Sequence, residues 1–192
     1  MLPFLVILML QPLSGQLGPL GCGSQKIRNW DTGSVYPSTV TDLTDRSTVW
    51  VTPSKAQLKD TDPTVATFTG SETSNTLRAV GFGITLPHDA IIRGIIVGAD
   101  VIPGAAFEFT FQLVSGGVAI GSPKTEPYYL GETGVITGDT DDLWLPAGLT
   151  RAMIIAPGFG FEVTVTNTDA EPETCSIDAL SLTVFYRSKH KP

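Results

Sequence analysis

His88 and His190 are the only imidazoles in the chain. Nucleophilic catalysis of the serine–histidine type needs a histidine that a carboxylate holds in place. His88 follows Pro87 in a turn, and His190 sits in the basic C-terminal stretch with Arg187, Lys189 and Lys191. Neither position reads as a catalytic base. The densest carboxylates are Asp139, Asp141 and Asp142, just before Leu143 and Trp144. Alternating loop carboxylates suit calcium, which takes six to eight oxygens, but the EF-hand spacing is absent. The group is read as a solvated turn ahead of a core tryptophan, with ion binding left open. Asp60 and Asp62 read the same way. Glu108, Glu126 and Glu162 have no neighbouring motif that would pair them across a cleft, as glycoside hydrolysis requires.

Two cysteines, Cys22 and Cys175, do not make a disulfide framework. Whether they pair is a question of geometry, and no Cys/His spacing of the zinc type is present. Gly81-Phe82-Gly83 and Gly158-Phe159-Gly160 lack the lysine and following helix of a phosphate loop. They are expected to be strand bends or bulges that swing a phenylalanine into the core. The expectation is a non-enzymatic protein with no catalytic residue, cofactor or metal. Among the aromatics Trp30, Tyr36, Trp50, Tyr128, Tyr129 and Trp144, the tryptophans Trp50 and Trp144 read as core or sandwich-end plugs. Tyr128 and Tyr129, between Pro127 and Gly131, read as an exposed pair suited to a glycan or to a subunit contact.

The elements that carry these residues read as strands. Gly and Pro together supply 34 residues (20 and 14), and nearly every apolar run ends at one of them. No long window has helical periodicity; short helical turns are expected only near 53–57 or 146–149. Strands are expected over 64–69, 76–82, 91–102, 106–115, 118–120, 134–137, 142–145, 159–167 and 175–186. In 106–115, Phe107, Phe109, Phe111 and Leu113 alternate with Glu108, Thr110 and Gln112, which marks a strand with one buried face. Gly116-Gly117 then suits a tight hairpin. In 175–186 both faces are partly apolar, so this strand is expected to be central. Short strands with a turn signal every eight to twelve residues read as an all-β fold. The fold class is an antiparallel β-sandwich, jelly-roll-like, with an extended N-terminal arm.

Composition agrees. Hydrophobic residues make up 42% of the 192, enough for a core, and charged residues only 16%. Net charge is −7, so the chain gains nothing from counterion release on a phosphate backbone and nucleic acid is not an expected partner. Residues 1–10 are almost wholly apolar but too short to span a bilayer, and a secretory leader would carry a basic start that is missing here. Residues 11–23 are too rich in Pro and Gly for a regular helix. Three readings stay open: an assembly arm, a retained leader, and an intramolecular strand. In the first, Leu2, Phe4, Leu5, Ile7, Leu8, Leu13, Leu17 and Leu20 drop into pockets of neighbouring subunits. Each fully buried side chain then contributes about 1.5–3 kcal/mol before ordering costs. The organisation read from this is an arm over 1–45, a sandwich domain over 46–188 and a basic tail over 189–192.

The body also has an order of features. It opens on Trp50-Val51-Thr52-Pro53, continues through Asn75-Thr76-Leu77, Gly81-Phe82-Gly83-Ile84, Leu86-Pro87 and Ala90-Ile91, then Arg93-Gly94-Ile95 and Asp142-Leu143-Trp144. It closes on Asp178-Ala179-Leu180-Ser181-Leu182-Thr183-Val184-Phe185-Tyr186. Over about residues 49–187 this resembles a family of structural domains of tailed-bacteriophage particles. Ala179 stands where that family usually has histidine, and Leu145 follows Trp144 where glycine is common. The resemblance implies a virion protein: capsid decoration or cement, with a tail, collar or baseplate component as the alternative. The implied partners are the major capsid protein or other virion proteins and further copies of the chain, with no nucleic acid and no membrane. A secreted carbohydrate-binding or adhesion module is the reading from a different class.

Overall fold

The structure, a computed structural model, describes residues 27–102, 105–145 and 148–190. The arm residues Leu2, Phe4, Leu5, Ile7, Leu8, Leu13, Leu17 and Leu20, and Cys22, lie outside the described residues, as do Pro146 and Ala147 in one expected helical turn. The rest is an antiparallel β-sandwich of two six-stranded sheets. Sheet A contains β1 (Arg28–Asp31), β3 (Trp50–Val51), β4 (Thr64–Phe68), β6 (Ile91–Ile102), β10 (Gly134–Asp139) and β12 (Glu173–Ser188). Sheet B contains β2 (Thr39–Asp42), β5 (Leu77–Val80), β7 (Phe107–Ser115), β8 (Val118–Ala119), β9 (Lys124–Tyr128) and β11 (Phe159–Asn167).

Strand β12 organises sheet A. One edge pairs with β6 from Ser176↔Ile102 to Arg187↔Ile91, with register shifts between Ile177 and Ala179 and between Phe185 and Tyr186. The other edge is filled by four segments in turn. They are β4 beside residues 173–177, Gln57 opposite Ala179, Val35 opposite Leu182, and β1 beside residues 185–188. The shift between Ile177 and Ala179 switches the inward set from Cys175 and Ile177 to Leu180, Leu182, Val184 and Tyr186, which is why both alternating sets of this strand carry apolar residues. In sheet B, β7 and β11 pair along nine residues each, from Phe159↔Ser115 to Asn167↔Phe107. Their alternating phenylalanines and valines all point inward: Phe107, Phe109, Phe111, Leu113, Phe161, Val163 and Val165 are buried. The layers meet in one core, where Phe68 of β4 touches Phe107 of β7 at 5.5 Å between ring centroids.

Several elements differ from the sequence reading. Among the described residues sheet structure is already present at Arg28, inside the segment assigned to the arm, because β1 and β2 are short and polar and gain their order from β12 and β5. Strand β9 contains Pro127 and escapes a propensity reading; it sits at the margin of sheet B, hydrogen-bonded as a strand to β7 alone among the described residues, where a missing N–H is tolerated. Residues 142–145 are a turn rather than an edge strand: the Asp142 carboxylate accepts the Trp144 N–H at 2.9 Å, and Trp144 takes a left-handed φ of 58°. The expected helical turn at 53–57 is a 3-10 turn over Pro53–Ala56. The second helical turn falls at Arg151–Ile154 (α1), where the Thr150 side chain accepts the Met153 N–H. Phe82 and Phe159 are both buried as expected. Gly81 and Gly83 make the bend with positive φ, whereas Gly160 is an ordinary residue of β11 with no bulge. Its lack of a side chain has a packing cause: a Cβ there would lie 2.0 Å from the Ala79 carbonyl oxygen.

Candidate functional site

The outer face of sheet A carries exposed aliphatic side chains. Register places Val51 opposite Val65, Val65 opposite Ser176 and Ser176 opposite Ile102, a single rung across β3, β4, β12 and β6. The alternation that buries Trp50, Ala66, Ile177 and Val101 turns these neighbours outward. Farther along the face, Ile136 of β10 lies opposite Gly98 of β6, which lies opposite Ser181 of β12. The Ile136 side chain leans over Gly98, where an added Cβ would meet its Cγ2 at 2.9 Å. Val51 is 63% exposed and Ile136 70%. Between the aliphatic side chains the central strand offers small groups, Ser176, Ser181 and Thr183. The Lys59–Asp100 ion pair, at 2.6 Å, supplies fixed charge on the same sheet.

The tyrosine pair separates. Tyr129 is 61% exposed, beside the still more open Leu130. Tyr128 is 1% exposed, so the expectation of two exposed rings fails for it. As the last residue of β9 opposite Phe107, its ring turns into the core against Phe109, 5.9 Å away edge-on. Its hydroxyl donates to the Glu132 carbonyl at 2.7 Å, and burial pushes that hydroxyl's pKa up. Trp50 and Trp144 are buried plugs as expected. The Trp50 indole N–H donates to the Asn75 carbonyl and that of Trp144 to the Ile95 carbonyl.

The acidic loop is used structurally. Asp141 accepts from the Arg93 guanidinium, Asp142 pairs with Lys124 at 2.6 Å, and Asp139 accepts the Thr140 N–H at 2.5 Å. Lys124 also lies 5.1 Å from the centre of the Trp144 ring. Burial by itself would raise the Asp142 carboxyl; Lys124 and the Trp144 N–H outweigh it and hold the group below the usual carboxylate range. The three carboxylates thus turn to separate partners. Glu162 accepts two bonds from Arg78, and Glu126 accepts the Thr137 hydroxyl. Cys175 is a free thiol buried in the core, and burial pushes its pKa up.

One grouping was not anticipated. His88, Asp89 and His190 converge, with the two imidazole centroids 5.6 Å apart and a potential ligand atom on each residue within 4.8 Å of the others. The cause is register: Ile91 pairs with Arg187, so the residues just before β6 meet those at and beyond the end of β12. Asp89 accepts from the Ser188 hydroxyl at 2.6 Å and from the Lys189 N–H at 2.9 Å, and these bonds lower its carboxyl pKa. The His190 N–H donates to the Ser188 hydroxyl oxygen. Through His190, the segment read as a basic tail is therefore tied back to the turn at 88–89.

Among the described residues, no helix is long and apolar enough to cross a membrane. No protein-family model matches the chain, and a comparison with curated proteins also finds no match. Among solved structures, the family 11 carbohydrate-binding module from Clostridium thermocellum, solved with a β-1,3-1,4-mixed-linked tetrasaccharide, is 15% identical. The overlap spans 91% of this chain and 93% of that one, with a TM-score of 0.32. The Drosophila melanogaster CENP-C cupin domain is 12% identical over 68% of this chain and 64% of that domain, with a TM-score of 0.23. Overlaps this loose carry no argument about the site.

Proposed function

We propose that the chain is a non-enzymatic structural protein of a bacteriophage virion, a capsid decoration or cement protein whose N-terminal arm packs against neighbouring subunits. The observation that supports the reading best is the outward-facing aliphatic set on sheet A, Val51, Val65, Ile102 and Ile136, set among small side chains. Exposed aliphatic side chains set among short polar ones suit contact with another protein. The resemblance of residues 49–187 to phage structural domains gives the partner class: the major capsid protein, other virion proteins or further copies of this chain. The apolar residues between Leu2 and Leu20 would serve as a second contact.

The test is incorporation into particles. The full chain should co-purify with phage particles on a density gradient. A chain lacking residues 1–25 should remain folded and be lost from them, and Ile136→Lys should weaken attachment. Absence of the full chain from particles would sink the proposal. Imaging of tagged particles separates a head position from a tail, collar or baseplate position. The exposed Tyr129 supports a second reading, a secreted carbohydrate-binding or adhesion module. Glycan-array binding by the full chain that is lost in Tyr129→Ala, together with an intact mass lacking 15 to 25 N-terminal residues, would favour that reading.

A further inference from the structure

We propose that His88, Asp89 and His190 form a binding site for a divalent transition-metal ion of the zinc class, which ties the C-terminal segment to the turn preceding β6. The chain has only two histidines, 102 positions apart (190 − 88). The fold brings their rings to 5.6 Å with a carboxylate beside them. Two imidazoles and one carboxylate are a donor set that zinc accepts with a fourth position left for water. Zinc–nitrogen and zinc–oxygen bonds of roughly 2.0–2.2 Å put neighbouring ligand atoms about 3.3 Å apart in a tetrahedron. The three donors lie within 4.8 Å of one another, and both histidine side chains are exposed. Rotation of the two rings therefore closes the gap without moving the sheet.

The carboxylate is already oriented. The Ser188 hydroxyl holds one Asp89 oxygen and the Lys189 N–H the other, leaving lone pairs on both for a metal. Hydrogen bonds that orient a ligand in this way commonly govern affinity. Imidazole selects zinc, copper or nickel over calcium and magnesium, which take oxygen ligands. The opposing charges come from Arg187 and Lys189, which line the same cleft. Both are exposed, so solvent and salt screen them. The ion would close a loop between residue 88 and residue 190, clamping the far end of the central strand.

Zinc chloride is titrated calorimetrically into the metal-stripped full chain, with cobalt(II) absorption as a second readout. The expected result is one saturable ion per chain, visible d–d bands with cobalt, and no heat with magnesium. His88→Ala and His190→Ala should each lower zinc affinity at least tenfold, and the double variant should show no binding. Both histidines are exposed, so circular dichroism should show unchanged folding. Histidine ring resonances of both residues should shift together on zinc addition. Unchanged zinc stoichiometry in the folded double variant would place the ion elsewhere and overturn the proposal. So would the absence of saturable zinc binding by the wild-type chain.

Discussion

Trp144 illustrates how single residues hold the loops of this sandwich. Its backbone sits at a φ of 58°, a conformation that costs a non-glycine residue of order 1–3 kcal/mol. The compensations are visible. Its N–H is taken by Asp142, its indole N–H by the Ile95 carbonyl, and its ring by Lys124. Gly121 must be glycine for the same reason, since a Cβ there would meet the Trp144 carbonyl oxygen at 2.2 Å. Trp144→Phe keeps much of the ring and removes the indole donor; it should lower unfolding free energy by about 1–2 kcal/mol, read from urea denaturation. Cys175 makes a second residue-scale case. Its thiol is buried and its pKa raised, so the nucleophilic thiolate is scarce. In a Cys22→Ser chain, a thiol reagent should leave Cys175 unlabelled in buffer and label it fully in denaturant; rapid native labelling would contradict the packing.

At the scale of elements, the far edge of β12 is a mosaic of β4, Gln57, Val35 and β1. The first part of this mosaic lies early in the chain. Pairing of β1 runs from Arg28↔Ser188 to Asp31↔Phe185, and Val35 exchanges hydrogen bonds with Leu182 at 2.9 and 3.0 Å. Two truncations should therefore differ. Removing residues 1–25 leaves every strand of the described residues in place and should leave the melting temperature nearly unchanged. Removing residues 1–36 strips β1 and the Val35 contact and uncovers β12 beside Tyr186. It should cost on the order of 3 kcal/mol, from several backbone hydrogen bonds at about 1 kcal/mol each and the half-buried Trp30. Equal melting temperatures for the two would show that β1 is dispensable.

At the scale of the molecule, acid stability follows from carboxylates that bridge segments. Burial raises the Asp45 carboxyl, but the Thr76 N–H and hydroxyl and the neighbouring Arg46 outweigh it, so its folded pKa lies below 3.8. The Glu72 carboxyl is held below 4.5 by the N–H and hydroxyl of Thr69, with Thr48 assisting against burial. Asp142 is lowered as well. A carboxylate whose pKa is depressed by folding contributes stability above its unfolded value, and that contribution is lost as pH falls through the folded value. The urea midpoint should therefore be flat through neutral pH and fall as pH drops from about 4.5. Asp45→Asn should lower the midpoint at neutral pH and make the acid limb shallower. An acid limb as steep as that of the parent chain would remove Asp45 from this account.

The strong strands were legible because their signal is local. The alternation of Phe107, Phe109, Phe111 and Leu113 reports which face is buried whatever the strand packs against; residues 175–186 do form a strand paired on both edges, but their two apolar sets arise from a bulge that only the β6 pairing reveals. The all-β class, and the lack of long helices among the described residues, follow from the same periodicity and from the Gly and Pro breaks. Other features depend on partners far away in the chain. Strands β1, β2 and β9 carry weak patterns of their own and order because β12, β5 and β7 offer them free edges. Tyr128 and Tyr129 are adjacent, yet strand pairing sends one ring into the core and leaves the other in solvent. The meeting of His88, Asp89 and His190 depends on the β6–β12 register, set by the match of two long apolar faces with two bulges between them. A one-residue slip would reverse the faces and part the imidazoles. Local periodicity therefore determined the long core strands, whereas tertiary pairing decided the short strands β1, β2 and β9 and which side chains meet at the surface.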